Sequence, residues 1–212
     1  MHGQSLSPQQ QQAAQHQLGP ALVVAGPGAG KTRTLTARYA ALVEQGVEPS
    51  SIFTVTFTRK SSDEFKERIE QATGISPAGL PIGTFNSLAR YKCSTHRFFE
   101  GRELLNDTQH RRNIWFALGL KFEEIEVAKL AIQGWKNRRC SPVDAMKQAK
   151  QSNDDETLEA ARLYQAYENY LGKHRLHDFT DQIRYTVEAL ENNRGLRNHL
   201  HRQYRYLMVD EF

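Results

Sequence analysis

The sequence predicts an α/β fold, with helices on both faces of a parallel sheet and an all-helical block inserted into it. Three observations support this prediction. Up to about Thr95, short β-branched or aromatic runs alternate with amphipathic helical patterns, the order typical of a parallel sheet. Beyond Thr95 only helical patterns occur, until Tyr206–Val209 forms a final apolar run. The block between them therefore interrupts one α/β domain.

The first elements lead to a glycine-rich break. Ser7 is a suitable N-cap, Pro8 fits the first helical position, and Gln10 completes a Ser-x-x-Gln capping box. The apolar run Ala21–Ala25 predicts a buried strand, which ends where glycines begin at Gly26.

Strands and helices then alternate. A helix follows the glycines and has its stop signal at Gly46, Ile52–Phe57 is rich in β-branched and aromatic residues, and Ser62–Gln71 has helical periodicity. Pro81–Thr84 predicts another short strand, with a helix from about Asn86. These patterns place several strand ends next to helix starts.

The inserted block reads as helical throughout, and we expect no strand in it. A basic run at Lys136–Arg139 is interpreted as a solvated helix face. The predicted helices are Asp107–Leu118, Phe122–Gln133, Ser141–Lys150, Asp155–Leu171 and Phe179–Glu191.

Composition is that of an ordinary globular protein. The chain has 212 residues, 39% hydrophobic and 25% charged, and a formal net charge of +4. The charge permits a nucleic-acid partner without demonstrating one. No run approaches the roughly 20 apolar residues of a membrane span, and no signal peptide is evident, so we expect a cytoplasmic protein without a membrane partner.

A phosphate-binding loop follows the first predicted strand and opens a helix. Its glycines let successive backbone N–H groups curl around phosphate oxygens, and the helix N-terminus adds partial positive charge. Lys31 can reach the β- and γ-phosphates, and the Thr32 hydroxyl can ligate Mg²⁺. Ala25 stands where the motif usually begins with glycine. The loop residues are Gly26, Pro27, Gly28, Ala29, Gly30, Lys31 and Thr32.

An acidic pair after the last predicted strand complements this loop. Asp210 can hold Mg²⁺ through water, and Glu211 can orient or deprotonate an attacking water. An Asp-Glu pair alone is a weak signal. With Lys31 upstream it predicts an ATP site that uses Mg²⁺, with Lys31, Asp210 and Glu211 as catalytic residues.

These motifs together resemble the N-terminal part of superfamily 1 DNA helicases of the UvrD/Rep/PcrA type. The resemblance covers nearly the whole chain. The similar segments are Leu6–Gln10 to the Q motif, Thr56–Lys60 to motif Ia, Gly83–Leu88 to motif Ib, Asp178–Ile183 to an Asp-Phe-Asp-Asp-Leu-Leu segment, and Tyr206–Phe212 to motif II.

In the nucleotide site, the resemblance implies that Gln10 reads the adenine edge and that Arg33 lies near the base. The alternative for Gln10 is its capping box, and both roles need glutamine. The alternative for Asp178–Ile183 is a simple acidic helix start.

For single-stranded DNA, the resemblance implies contacts from threonines to phosphate and from an aromatic side chain to a base. Arg59 and Asn86 depart from the usual Asn and His of these motifs, which puts a His-specific role in doubt. Phe57 has the alternative of a core position at its strand end. The implied DNA-binding residues are Thr56, Phe57, Thr58, Thr84 and Phe85.

The family also implies the domain plan and the activity. Residues 1–95 and 195–212 are expected to form part of a RecA-like ATP-binding domain, called 1A, and residues 96–194 a helical 1B insertion. The parent is expected to be an ATP-dependent helicase moving 3′ to 5′ on single-stranded DNA and unwinding duplex DNA in repair, replication or recombination. This chain is expected to stop within motif II, without unwinding activity of its own.

Two alternatives remain open at this point. The parent is a helicase subunit of an AddA/RecB-like helicase-nuclease, which shares these motifs and differs by a downstream nuclease domain. Otherwise the chain is a non-motor P-loop nucleotide-binding protein such as a kinase or GTPase. The position of Gln10, Phe57 and the helical block argue against the non-motor protein. Protein partners are not readable from the sequence.

Overall fold

The chain folds into two compact units. The computed structural model describes residues 5–17, 19–95, 101–105 and 114–211, apart from the side chains of residues 93–95, 122 and 123. The first unit, called the sheet unit, is Met1–Leu88 with Arg194–Phe212, and the second, called the helical unit, is Ala89–Asn193.

The sheet unit alternates helices and parallel strands. Its helices begin at sites the sequence marks: Ser7 caps the first with a capping box, and Thr58 caps another by accepting from the Ser61 amide. The elements are α1 (Pro8–Ala14), α2 (Lys31–Glu44), β1 (Ile52–Thr56), α3 (Arg59–Thr73), β2 (Ile82–Thr84), α4 (Phe85–Thr95, which runs into the helical unit), α9 (Arg194–Gln203) and β5 (Tyr206–Val209).

The sheet has the order β2-β1-β5, and all pairs are parallel. Thr56 of β1 is in register with Thr84 of β2, and Val55 with Val209 of β5. The predicted α/β class with a parallel sheet is therefore confirmed. Strands far apart in sequence end at one edge.

The core of the sheet unit lies between α2, α3 and the sheet. Phe65 and Ile69, one helical turn apart, share the buried face of α3. The Phe65 ring meets Tyr39 of α2 edge to face, with centroids 6.2 Å apart. The buried residues of this core are Tyr39, Leu42, Ile52, Phe65, Ile69, Ile82 and Met208.

The predicted strand Ala21–Ala25 is wrong in this structure. The segment has no strand assignment, and the side chains of Leu22 and Val24 are 77% and 87% exposed. A strand needs a neighbour to share its backbone hydrogen bonds. Among the described residues β1 is flanked by β2 and β5, and no strand pairs with residues 21–25. Apolar composition alone therefore does not make this segment a strand.

The helical unit is built almost wholly from helices. Of the predicted helix Asp107–Leu118, residues 106–113 lie outside the described residues, and residues 114–117 are helical. The further elements are β3 (Glu103–Leu104), α5 (Phe122–Asn137), α6 (Pro142–Ser152), α7 (Asp155–Lys173), β4 (Leu176–His177) and α8 (Phe179–Asn192).

Stacked aromatic rings dominate the core of this unit. Trp115 stacks on Tyr167 at 4.9 Å, and Trp135 on Tyr164 at 5.8 Å, with interplanar angles of 6° and 10°. The buried hydroxyl of Tyr164 donates to the Cys140 carbonyl, so its burial leaves no polar group unsatisfied.

The expectation of no strand in this block is wrong at one place. β3 and β4 form a two-residue parallel pair, in which the Glu103 amide donates to the Arg175 carbonyl and Leu105 to His177. Two residues are too few for an alternating pattern to be recognised. The pair nevertheless joins the segment before residue 106 to the start of α8.

Lys136 was expected to lie on a solvated basic face, and this expectation is wrong. Its side chain is 1% exposed, and Nζ lies 2.7 Å from Glu168, 2.7 Å from Asp178 and 2.8 Å from Asp181. Burial lowers the pKa of Lys136, but these carboxylates raise it, so the net shift is upward. Arg184 also contacts Asp181 and Glu168. The three carboxylates lie close enough together to hold a metal, but the lysine ammonium contacts all three.

The same network settles the acidic segment Asp178–Ile183. Asp178 is the N-cap of α8, and Asp181 completes a capping box with it. The helix-start interpretation is therefore confirmed.

No helix within the described residues is both long and apolar enough to cross a membrane.

We predict that Lys136→Met destabilises the helical unit by about 3–5 kcal/mol, because it leaves buried carboxylates without their central cation. Trp115 and Trp135 both lie in this unit's core, so urea unfolding followed by tryptophan fluorescence reports on it. The loss should be smaller at pH 5 than at pH 7, since the unpaired carboxylates then bind protons more readily in the folded state.

Lys147→Met is the matched control, since Lys147 is 70% exposed and paired only at the surface with Asp144. An effect of Lys136→Met as small as that of Lys147→Met would contradict a structural role for the buried cluster.

Candidate functional site

The candidate site lies at the carboxyl edge of the parallel sheet. The register places Phe85, Phe57 and Asp210 directly after β2, β1 and β5. The Asp210 amide continues the ladder by donating to the Val55 carbonyl. Ligands of open parallel sheets bind outside the carboxyl ends of the strands, and here two aromatic side chains and one carboxylate follow neighbouring strands.

The glycine-rich segment forms a tight turn that opens α2, as predicted. Gly28 and Gly30 have φ of +74° and +81°, values that side-chain-bearing residues rarely adopt. Gly30 is the N-cap of α2, whose first residue is Lys31. The Ala29 amide donates across the turn to the Gly26 carbonyl. The loop therefore presents the positive end of a 14-residue helix.

Lys31 folds back over its own loop. Its Nζ donates to the Ala25 and Gly26 carbonyl oxygens, each at 3.1 Å. These oxygens supply the negative partial charge that a phosphate would otherwise offer to the ammonium group. The side chain is thus held over the loop.

Thr32 and Asp210 meet across the sheet unit. Thr32 Oγ1 donates to Asp210 Oδ2 at 3.4 Å, although the residues are 178 positions apart. Asp210 is buried, so its carboxylate is held by the fold. A hydroxyl and a carboxylate oxygen are hard ligands of the kind Mg²⁺ prefers, and these two are the residues of this site that fit such an ion.

The remaining predicted residues of this site are less enclosed. Arg33 lies in the first turn of α2 and is half-buried. Glu211 is exposed and has φ of +61°. The structure therefore brings Asp210 to Thr32, the residue that follows Lys31 in the first turn of α2, and leaves Glu211 exposed.

Gln10 is tied to the loop. Its Oε1 accepts from the Ser7 amide at 2.8 Å, and its Nε2 donates to the Ala29 carbonyl at 2.9 Å. The capping box is therefore present, and the same side chain also contacts the phosphate-binding segment. The two interpretations of Gln10 are compatible in this geometry.

Two aromatic side chains are exposed at the carboxyl edge of the sheet, the edge at which Asp210 contacts Thr32. Phe57 is 70% exposed and Phe85 44%. Since the strands that precede them are in register at Thr56 and Thr84, both rings lie at the same edge. The core alternative for Phe57 is therefore wrong.

Thr56 is a correction to the predicted DNA-binding set. Its side chain is fully buried, and its hydroxyl donates to the Thr58 carbonyl, so it is not available to a surface ligand. Thr58 and Thr84 are more accessible, but each also organises a helix start: Thr58 Oγ1 accepts from the Ser61 amide and Thr84 Oγ1 from the Ser87 amide. Their hydroxyls help to fix where Phe57 and Phe85 stand.

Sequence reasoning missed several contacts that hold this site. Thr34 Oγ1 donates to the Gly30 carbonyl, and Arg38 Nη1 to the Ala14 carbonyl, which joins α2 to α1. The bond from Gln10 to Ala29 was missed as well. Helical spacing offers a signal for the Thr34 bond, four residues from its acceptor. The other two bonds span different elements and have no local signal.

Comparison with known proteins gives a consistent result. Residues 6–212 match the family described as the UvrD/REP helicase N-terminal domain. A probable DNA helicase II homolog of Rickettsia felis is 31% identical across 98% of this chain and 33% of its own length. One from Mycoplasma capricolum is 33% identical, covering 91% of this chain and 28% of that protein. The ATP-dependent DNA helicase PcrA of Staphylococcus epidermidis is 30% identical over 98% of this chain and 30% of its own length.

The chain thus spans about a third of the length of the curated relatives it matches.

Proposed function

Since this chain belongs to the family of UvrD/REP helicase N-terminal domains, we propose that it is the ATP-binding part of an ATP-dependent DNA helicase. The helicase uses ATP and Mg²⁺ to move along single-stranded DNA and unwind duplex DNA. The observation that carries this proposal is the meeting of Lys31, Thr32 and Asp210 at one end of α2. It joins a phosphate-binding loop to an acidic strand end, which is what a nucleoside triphosphate with its metal requires.

The phosphate chain is bound by the loop and Lys31. Backbone N–H groups near Gly28 and Gly30 and the N-terminus of α2 favour an anion. Lys31 Nζ exchanges the Ala25 and Gly26 carbonyls for phosphate oxygens, which carry full negative charge and make stronger hydrogen bonds. Gln10 recognises the adenine edge, and Arg33 lies next to the base.

Magnesium and the attacking water are assigned to the other side of the site. Thr32 and Asp210 would hold Mg²⁺, because the fold brings their oxygens to within 3.4 Å of each other. The metal supplies charge neutralisation on the phosphates when bound. Glu211 orients or deprotonates the attacking water, as the next residue after a buried carboxylate at the same strand end.

Single-stranded DNA is assigned to the exposed aromatic edge. Phe57 and Phe85 offer two ring faces at neighbouring strand ends, and each base has a π-face that stacks without regard to sequence. Thr58 and Thr84 are placed beside them for phosphate oxygens. A sequence-independent contact of this kind suits a motor that passes over every base.

The two units receive separate roles in this proposal. We assign the sheet unit to the RecA-like 1A domain and the helical unit to the 1B insertion. The insertion separates β5 from the strands it joins, and this accounts for the distance in sequence between Lys31 and Asp210. The chain covers only about a third of its curated relatives, and we assign the activity of the whole helicase to a longer protein.

Nucleotide binding can be tested at Lys31. Lys31→Ala should abolish measurable binding of Mg²⁺-ATP to the 212-residue chain in calorimetric titration, because the phosphate charge then lacks its side-chain cation. Lys60→Ala is the control, since Lys60 is exposed on α3 and forms a surface ion pair with Glu64. Equal ATP affinity in Lys31→Ala and Lys60→Ala would overturn the assignment of the loop.

Binding of single-stranded DNA can be tested at Phe57. Phe57→Ala should weaken binding of a fluorescein-labelled oligothymidylate by about 1–3 kcal/mol, or roughly five- to 150-fold, through loss of one base stack. Fluorescence anisotropy at low salt measures this. Leu207→Ala removes a comparably exposed apolar side chain, 69% exposed on β5, and should leave the affinity unchanged. Similar affinities for both variants would rule out the aromatic edge as the DNA contact.

A further inference from the structure

Ser7 and Gln10 make a continuous chain of hydrogen bonds from the start of α1 to the phosphate-binding loop. Gln10 Oε1 accepts from the Ser7 amide, the Gln10 amide donates to Ser7 Oγ, and Gln10 Nε2 donates to the Ala29 carbonyl. A backbone amide can only donate and a carbonyl can only accept. The partners therefore fix which end of the carboxamide is oxygen and which is nitrogen.

The carboxamide still has unused capacity. Its oxygen has two lone pairs and its nitrogen two N–H groups, and the bonds to Ser7 and Ala29 use one of each. One lone pair and one N–H remain, which is the set that a bidentate contact to an adenine edge requires. Holding the loop and reading a base are thus compatible in one side chain.

The bond to Ala29 also orients the loop. In a planar trans peptide the C=O and the following N–H point in opposite directions. The Ala29 carbonyl points toward Gln10, so the Gly30 N–H points away from it. Gly30 stands at the head of α2, where backbone N–H groups bind anions. Fixing the carbonyl therefore fixes a phosphate-binding donor.

Gly30 is matched to this contact as well as to its backbone conformation. A Cβ at Gly30 would lie 2.8 Å from Gln10 Nε2, too close for real atoms. The absence of a side chain at Gly30 thus allows the carboxamide to approach the loop.

We propose that Ser7 and Gln10 form a bridge that couples the adenine subsite to the phosphate subsite, with Ser7 as a positioning residue. The Ser7 hydroxyl holds the Gln10 backbone amide and thereby fixes the first turn of α1, in which the Ser7 backbone amide orients the Gln10 carboxamide. The carboxamide holds the Ala29 carbonyl, and the loop is thereby preset for phosphate before a base is bound. The proposal rests on the proposed function in that it takes the loop to bind ATP. It extends the role of Gln10 beyond the base.

A ligand that has phosphates but no base tests the effect of Gln10 on the phosphate subsite alone, without base recognition. The probe is Mg²⁺-tripolyphosphate, titrated calorimetrically into the 212-residue chain and compared with Mg²⁺-ATP. Gln10→Glu retains the capping box, since glutamate serves equally well at that position, but it cannot donate to the Ala29 carbonyl. Gln9→Glu places the same charge one residue away, on an exposed side chain of the same helix.

The bridge predicts that Gln10→Glu lowers tripolyphosphate affinity about three- to tenfold relative to Gln9→Glu, the effect of one lost hydrogen bond. It predicts a smaller loss in the uncharged variant Ser7→Ala and recovery in Ser7→Thr, whose hydroxyl can cap the helix. ATP affinity should fall further than tripolyphosphate affinity in Gln10→Glu, because the donor to the base is lost too.

Equal tripolyphosphate affinity in Gln10→Glu and Gln9→Glu, with only ATP binding weakened, would overturn the bridge and leave base recognition alone. Equal affinity in Ser7→Ala and Ser7→Thr would remove the Ser7 hydroxyl from it, since both variants keep the Ser7 backbone amide. Lys31→Ala serves as a separate test. Retained tripolyphosphate binding in that variant would overturn the proposed function itself, whatever Gln10 does.

Discussion

The parallel pairing of β1 with β5 is the constraint on which the site depends. The two strands are separated by the whole helical unit in sequence, yet Val55 and Val209 lie in register. This register ends both strands at the same edge and places Asp210 beside Thr32 of α2. Without it, the acidic pair and the phosphate-binding loop would be unrelated segments. The fold tolerates the insertion because β5, which follows it, still pairs with β1.

The side chains of the proposed nucleotide site are held by partners from the protein itself. Lys31 rests on the Ala25 and Gly26 carbonyls, Thr32 on Asp210, and Gln10 on Ala29. Each of these groups is polar, and each finds a partner that a nucleotide or its metal can replace or supplement. Binding therefore exchanges hydrogen bonds rather than creating them from unpaired groups, and the charge of the phosphates determines the direction of the exchange.

Much of the fold and of the site could be predicted because the signals are local. Capping residues such as Ser7 and Thr58 mark helix starts, the glycines and Lys31 mark the loop, and β-branched residues mark β1. The failures arise where the outcome depends on distant parts of the chain. Residues 21–25 have strand composition but no strand neighbour in the described part of the chain.

The predictions for Lys136 and Thr56 were wrong for the same reason. Lys136 belongs to a basic run, and only the packing of α5 against α7 and α8 surrounds it with carboxylates. Thr56 lies in a segment that resembles a DNA-contacting motif, but it belongs to the central strand β1, where Thr54, Val55 and Thr56 are all buried. Neither burial is encoded in neighbouring residues.

The central claim is that the loop, Lys31 and Asp210 form one Mg²⁺-nucleotide site. A crystal structure of the 212-residue chain with Mg²⁺-ADP tests it most directly. We expect Lys31 Nζ to leave the Ala25 and Gly26 carbonyls for a β-phosphate oxygen, and Mg²⁺ to lie beside Thr32 and Asp210. Nucleotide bound elsewhere, or Lys31 still on both carbonyls beside a bound phosphate, would contradict it.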